Sequence, residues 1–303
     1  MLRRANATGD VEAEVDTYDY LTLGAQQRTW SLPTQVEEMV FDSLGDYVAL
    51  NNQFLARGFY RSVPAPGERP TTLNEFYNAM KAAFCLIVEG TPSAATPYIS
   101  AATQALEANE LEQEEATHAA AFMYLAEVRV AAGQLPEARD AAEKALAAYK
   151  RFLTEVRISY GRDDQEYTGF LASGHSFLGF VMGLQGEYEG ALRNLEKGLT
   201  MLRVLAKGEQ DPPEPRLVWA LEVYAETLER AQQPEMAMNT WREILRLRER
   251  DLMFVAGPIR VAIATTNFKM ARTAAQMGDK DLSQHHVDSA LKHLPLRQSE
   301  ASA

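Results

Sequence analysis

The chain has 303 residues, of which 46% are hydrophobic and 24% are charged, so it holds enough apolar material for a folded core. Its 30 basic and 42 acidic residues give a formal net charge of −12, which argues against a general nucleic-acid binder. A single cysteine, Cys85, excludes a disulfide framework and a cysteine-rich metal site.

The beginning of the sequence contains two arginines with no apolar segment behind them, so we expect no signal peptide. The sequence also has no run of about 18 apolar residues, and a membrane span is therefore not expected. These features predict a cytoplasmic protein that binds neither a membrane nor a nucleic acid.

Residues 1–33 are predicted to form an irregular N-terminal arm. The aromatic residues Tyr18, Tyr20 and Trp30 indicate that part of this arm packs on something. Its target is either the protein's own helices or a partner.

Residues 34–70 are interpreted as a capping helix followed by a proline-rich connector. Thr34 and Glu37 have the spacing of a capping box, in which each side chain accepts a hydrogen bond from the backbone of the first helical turn. Apolar residues then recur at helical spacing as far as about Tyr60.

Residues 71–294 are predicted to form consecutive helical hairpins, and residues 295–303 a loose tail. One unit recurs: a small residue, a turn residue seven positions later, and a second small residue five positions beyond the turn. The first small residue is Ala126, Gly179, Ala225 or Ala271; the turn residue is Gly133, Gly186, Gln232 or Gly278; the second small residue is Ala138, Ala191, Ala237 or Ser283. Small residues let two helices approach closely, and glycine ends a helix in the left-handed conformation at low cost. A weaker copy surrounds Gly90.

This unit resembles the tetratricopeptide repeat, or TPR. Phe122, Leu125 and Ala126 match the start of that repeat, and the segment from Leu178 to Ala191 matches it most fully. The resemblance implies an all-α fold: a right-handed α-α superhelix, or solenoid, of about five stacked antiparallel hairpins with an N-terminal capping helix.

The repeats are longer than is usual for this family. The turn positions are 43, 53, 46 and 46 residues apart, whereas the usual period is 34. We assign the extra length to extended second helices, Ala138–Val156 and Glu189–Leu205, and to loops at 159–167 and 207–215. In geometry, such repeats are similar to those of kinesin light chains and of bacterial peptide-sensing TPR proteins.

The resemblance also implies a concave groove lined by the first helix of each hairpin. Carrying the groove positions over to this sequence gives a predicted partner-binding set: Tyr77, Met80, Phe84, Met123, Glu127, Phe180, Trp219, Glu222, Glu226, Phe268 and Arg272. The mixture of aromatic residues, methionine and glutamate favours an amphipathic or basic peptide. The same side chains are also compatible with an ordinary interhelical core, or with a groove that the N-terminal arm fills.

Members of the family that bind Hsp70 or Hsp90 use lysine and asparagine to hold a C-terminal carboxylate. The matching positions here hold other residues, among them Glu222 and Glu226, which have the wrong charge. We therefore do not expect a chaperone tail as the partner.

The sequence contains no nucleophile elbow, phosphate-binding loop or dinucleotide fingerprint. Glu114 and His118 lie four residues apart, but no further metal ligands have a suitable spacing, so we expect no metal, no cofactor and no catalytic residue. Cys85 is interpreted as a small buried hydrophobe, and the cluster Arg242, Arg246, Arg248 and Arg250 as a solvated face.

The leading hypothesis is a non-catalytic interaction scaffold, or adaptor, that binds a partner peptide or helix in the groove. One alternative is a regulatory sensor whose superhelix encloses a small peptide or ligand and is gated by the N-terminal arm. A less favoured alternative is an enzyme on an α/α scaffold, for which the candidate ionisable residues are His118, Tyr124, Glu127 and His175. A homo-oligomer is also compatible with the sequence, because the terminal helices of repeat proteins can pair.

Overall fold

The computed structural model describes residues 66–88, 90–108, 115–160, 165–206, 215–251 and 256–293. Within these ranges every regular element is an α-helix: α1 Leu73–Val88, α2 Pro92–Glu107, α3 Glu115–Ala131, α4 Leu135–Tyr160, α5 Gln165–Leu184, α6 Tyr188–Ala206, α7 Pro215–Arg230, α8 Pro234–Asp251, α9 Ala256–Gln276 and α10 Lys280–His293. The all-α prediction is therefore confirmed. The predicted arm, capping helix and tail lie outside the described residues.

Five turns join the helices in pairs, and all five have the same hydrogen-bonding pattern. Their central residues, Gly90, Gly133, Gly186, Gln232 and Gly278, have φ between 59° and 83°. In each turn that residue donates to the carbonyl three positions back, and the next residue donates to the carbonyl five positions back. This is the Schellman motif, which reverses the chain after the first helix of each hairpin. Gln232 adopts the left-handed conformation that the sequence pattern assigned to a glycine.

The predicted small residues do bring the two helices of a hairpin together. A Cβ atom on Gly179 would lie 2.6 Å from Leu195 Cγ and 2.8 Å from the Ala191 carbonyl oxygen. In the last hairpin, Ser283 donates a hydrogen bond of 2.9 Å to the Ala271 carbonyl oxygen. Only small side chains fit such close helix pairs.

Several helices begin with residues suited to a helix N-terminus. Proline is the first residue of α2, α7 and α8, where its missing N–H removes no helical hydrogen bond. The side chain of Asp279 caps α10 by accepting a hydrogen bond of 2.9 Å from the backbone of Leu282.

The extended second helices are present, with somewhat different limits from those predicted. α4 continues to Tyr160 and is 26 residues long, which accounts for the 53-residue spacing between Gly133 and Gly186. The predicted loop at 159–167 is shorter than expected, because Tyr160 still belongs to α4 and α5 begins at Gln165.

The chain divides into two compact units, Met1–Gly174 and His175–Ala303. In the first unit α1 packs on α2 and α3 on α4. In the second unit α7 packs on both α6 and α8, and α9 packs on both α8 and α10. Within the described ranges, no helix combines the length and the apolarity that a membrane crossing requires.

The exposed face of α10 differs from the prediction. From its residue types alone, the last helix is predicted to have a polar outer face that includes His286, opposite a packed face that includes Leu291. In the structure His286 is buried and bonds Asn267 Oδ1 at 3.1 Å through its Nδ1, whereas Leu291 is 47% exposed. A polar partner on α9 made the burial of the histidine favourable, and helical periodicity alone does not reveal such a partner.

Candidate functional site

The predicted groove residues of the first unit lie on α1 and α3. Met80 and Met123 are buried in the core. Tyr77 is half-buried and its ring contacts that of Tyr124, with 5.6 Å between the centroids. Phe84 on α1 and Glu127 on α3 are also half-buried. The accessible part of this set is therefore largely aromatic.

The predicted groove residues of the second unit lie on α5, α7 and α9. Phe180 on α5 and Trp219 on α7 are both half-buried, and their rings meet edge to face with centroids 6.2 Å apart. Phe177 approaches Phe180 at 6.0 Å from within the same helix. We call Phe180 and Trp219 the aromatic pair. Such edge-to-face contacts add to the energy of burying the rings, so they hold the pair in a defined arrangement.

Three glutamates on α7, Glu222, Glu226 and Glu229, are spaced by four and then three residues and share one face of the helix. We call them the glutamate ladder. Each binds a cation from the following helices. The middle member, Glu226, forms an ion pair in which its Oε1 lies 2.7 Å from Lys269 Nζ on α9. That lysine also stands 4.9 Å from the ring centroid of Trp241.

Glu222 is the most deeply placed member of the ladder, with 1% of its surface exposed. Its Oε1 accepts a bond of 2.7 Å from Arg248 Nη2, while its Oε2 is buried without a hydrogen-bond partner among the described residues. Arg248 also donates to the Ala262 carbonyl oxygen at 3.1 Å and to Thr266 Oγ1 at 2.5 Å. The ion pair therefore joins α7, α8 and α9.

Burial raises the pKa of Glu222 to about 7, although Arg248 and Lys269 act in the opposite direction. A charged carboxylate loses its hydration in this position, and one cationic partner does not fully replace it. Glu226 on the same helix adds to the rise because it is a second nearby carboxylate.

Glu229 completes the ladder and is also buried. Its Oε1 accepts hydrogen bonds from Trp241 Nε1 at 3.0 Å and from the hydroxyl of Thr273. Its Oε2 pairs with Arg272 Nη2 at 2.5 Å. The ladder thus connects neighbouring hairpins, and its charge is largely balanced inside the protein.

Sequence reasoning missed the role of Arg248. It was grouped with Arg242, Arg246 and Arg250, which are indeed exposed, but Arg248 itself is buried. Its partner Glu222 lies 26 residues earlier on another helix, so no local spacing in the sequence signals the pair.

The residues considered for catalysis or metal binding are distributed as follows. Cys85 is buried, and His175 is buried with its Nδ1 3.2 Å from Asn194 Oδ1. His118 is half-buried, and Glu114 lies outside the described residues. Among the described residues, no group of three or more histidine, cysteine, aspartate or glutamate side chains is arranged to hold a metal ion.

No family model matches this chain, and neither does any curated protein. Solved structures, however, are similar to it. A putative kinesin light chain with nearly identical TPR-like repeats from Podosopora anserina aligns with a TM-score of 0.55 and 15% identity, over 76% of this chain and 97% of that one. BtubC (BKLC) from P. vanneervenii aligns with a TM-score of 0.56 and 16% identity, over 86% and 94%.

A third similar structure is aspartyl phosphate phosphatase F from Bacillus subtilis, with a TM-score of 0.57 and 15% identity. The alignment covers 90% of this chain but 59% of the phosphatase. At these identities the similarity concerns the fold. The chain has a TPR-type fold of helical hairpin repeats, and the resemblance seen in its sequence is confirmed at that level.

Proposed function

We propose that this chain is a non-catalytic protein-interaction module, and that its first-helix surface binds an amphipathic segment of a partner protein. The observation that carries the proposal is the aromatic pair, because Phe180 and Trp219 lie on first helices of successive hairpins and both keep part of their rings exposed. Half-exposed aromatic rings provide a large contact area and lose little conformational entropy on binding. The TPR-type fold also supports an interaction role.

The glutamate ladder narrows the chemistry of the partner. Each ladder carboxylate already binds an internal cation, Arg248, Lys269 or Arg272. The overall charge of −12 attracts a basic residue of the partner and raises the rate of encounter. A pairing of that residue with a single ladder carboxylate should contribute less, because each of these carboxylates already has a cationic partner. We infer that apolar and aromatic side chains of the partner dominate the affinity.

The experiment is a selection from a displayed peptide library, followed by fluorescence anisotropy with the selected peptides. We expect Phe180→Ala and Trp219→Ala each to weaken binding at least tenfold, which corresponds to about 1.4 kcal/mol. Trp219 also serves as a fluorescence reporter once Trp30 is replaced by phenylalanine, because the third tryptophan, Trp241, is fully buried and should respond little to a surface ligand.

A matched control is Phe170→Ala. Phe170 is an aromatic residue of the same helix, 39% exposed, but it stacks on Tyr149 of α4 at 6.1 Å rather than on a first helix. Circular dichroism verifies that all three variants are folded. Peptides that bind the Phe180 and Trp219 variants as tightly as wild type would contradict the proposed surface.

A further inference from the structure

The last described hairpin, formed by α9 and α10, exposes residues whose counterparts in earlier hairpins are buried or half-buried. The turns at Gly186, Gln232 and Gly278 are 46 residues apart, so positions that differ by 46 are equivalent in the three hairpins of the second unit. Phe268 on α9 is equivalent to Glu222 and Ser176. Those two residues are 1% and 0% exposed, whereas Phe268 is 40% exposed.

The second helix of the last hairpin shows the same change. Leu291 on α10 is equivalent to Leu199, which is 1% exposed, and to Leu245, which is half-buried. Leu291 itself is 47% exposed. Two large apolar side chains are therefore exposed at positions whose counterparts in the two preceding hairpins are buried or half-buried.

The polar neighbours of these two residues also occupy contact positions. Asp288 is equivalent to Glu196, which accepts a bond of 2.9 Å from Tyr224 of the following hairpin, and to Arg242, which is exposed and bonds Asn239 of its own helix. Arg272 is equivalent to Glu226, which binds Lys269 of the following hairpin. Asp288 is exposed, and the side chain of Arg272 remains 55% exposed while it pairs with Glu229. We call Phe268, Leu291, Arg272 and Asp288 the end face.

We propose that the end face is a homodimer interface, on which a second copy of this chain docks through the same surface. It has the composition of a self-complementary contact: an apolar pair, Phe268 and Leu291, with one cation on α9 and one carboxylate on α10. A two-fold arrangement places Arg272 of each copy opposite Asp288 of the other, so that charges of opposite sign meet around the apolar centre.

The geometry of the interface also sets its strength. Helices of 21 and 14 residues are about 30 Å and 20 Å long. Two such helices offer a face of roughly 500 Å² per copy, which lies at the lower end of the range for specific interfaces. We therefore expect a reversible dimer with a dissociation constant in the range of roughly 10–100 μM.

Sedimentation velocity of the full chain from 2 to 200 μM tests this proposal. Wild type should shift from monomer to dimer, and Leu291→Glu should raise the dissociation constant at least tenfold. The matched control is Met236→Glu on α8, because Met236 is 48% exposed but lies outside the end face. That variant should dimerise like wild type.

Asp288→Arg provides a second test, because it places like charges opposite each other. It should weaken the dimer at low salt, and the weakening should diminish at high salt. A chain that stays monomeric up to 200 μM, or a dimer that Leu291→Glu and Asp288→Arg leave unchanged, would overturn the proposal. If the Leu291→Cys variant is monomeric and its new thiol resists labelling, another segment of the same chain covers the end face. That result would also overturn the proposal.

The dimer and the peptide-binding proposal can be separated. Leu291→Glu should leave peptide binding at the aromatic pair intact, and Phe180→Ala should leave the monomer–dimer equilibrium intact.

Discussion

Replacing Glu222 by glutamine removes the buried carboxylate of the ladder while keeping the size of the side chain. In wild type the pKa of this group is raised to about 7 from the ordinary 4.5 by burial. Between pH 4.5 and pH 7 the folded protein therefore keeps a proton on Glu222, whereas the unfolded chain has already lost it. The contribution of this proton to the free energy of unfolding is fully present below pH 4.5, and it is lost as the pH rises through 7.

The magnitude follows from the two pKa values. Each unit of difference between the two pKa values corresponds to about 1.36 kcal/mol. The full loss in the free energy of unfolding is therefore about 3 kcal/mol, of which about 2 kcal/mol falls between pH 5.5 and pH 8.5. The Glu222→Gln variant has no such titration. The exchange of the protonated carboxyl for an amide adds a constant that does not depend on pH, so the comparison depends on the slope and not on the absolute stability.

The assay is urea denaturation of both proteins at several pH values, followed by circular dichroism. The free energy of unfolding of wild type, relative to Glu222→Gln, should fall by about 2 kcal/mol between pH 5.5 and pH 8.5. Glu243→Gln is the control, because Glu243 forms an exposed ion pair with Arg203 whose loss costs less than about 1 kcal/mol. A difference between wild type and Glu222→Gln that stays constant over this pH range would refute the reasoning.

Three further predictions follow from local packing and burial. Gly179→Ala should lower the free energy of unfolding by about 1–3 kcal/mol, because the new Cβ overlaps Leu195; Gly183→Ala, whose nearest neighbouring atom is 3.3 Å away, should cost clearly less in the same denaturation assay. Gln232→Gly should raise the unfolding free energy by up to about 1 kcal/mol, since φ is 59° at this position, and no gain on urea denaturation would contradict the strain. Burial lowers the pKa of His286 below 6.5, so wild type should lose stability as the pH falls below that value; His286→Gln should lose less on acidification, and equal losses in the two melting curves would contradict this account.

The positions of the hairpins were predictable because they depend on local chemistry. The turn residue and the small residue on either side of it lie within about 15 residues of sequence. Their spacing predicted all five turns, in which the central glycine or glutamine adopts the left-handed conformation. The close approach of the second helix at Gly179 was predicted in the same way. Helix ends were less accurate, as in α4, because tertiary packing rather than a capping signal decides how far a second helix continues.

The state of the candidate site was less predictable. The pattern assigned Met80, Phe180 and Glu222 to the groove, yet Met80 is buried, Phe180 is half-buried, and Glu222 is buried with Arg248. Helical periodicity indicates which residues share a face, but exposure depends on the side chains that neighbouring helices bring to that face.

The sequence by itself determined the repeating unit, the class of fold and the line of first-helix positions, since each rests on spacings within one hairpin. Only the tertiary structure decided which of those residues are covered. Glu222 and Phe268 occupy equivalent positions 46 residues apart, yet one is 1% and the other 40% exposed. The physical reason is that burial is a property of two surfaces. Arg248 of α8, which also bonds α9, lies against Glu222, whereas Phe268 has no such cover among the described helices.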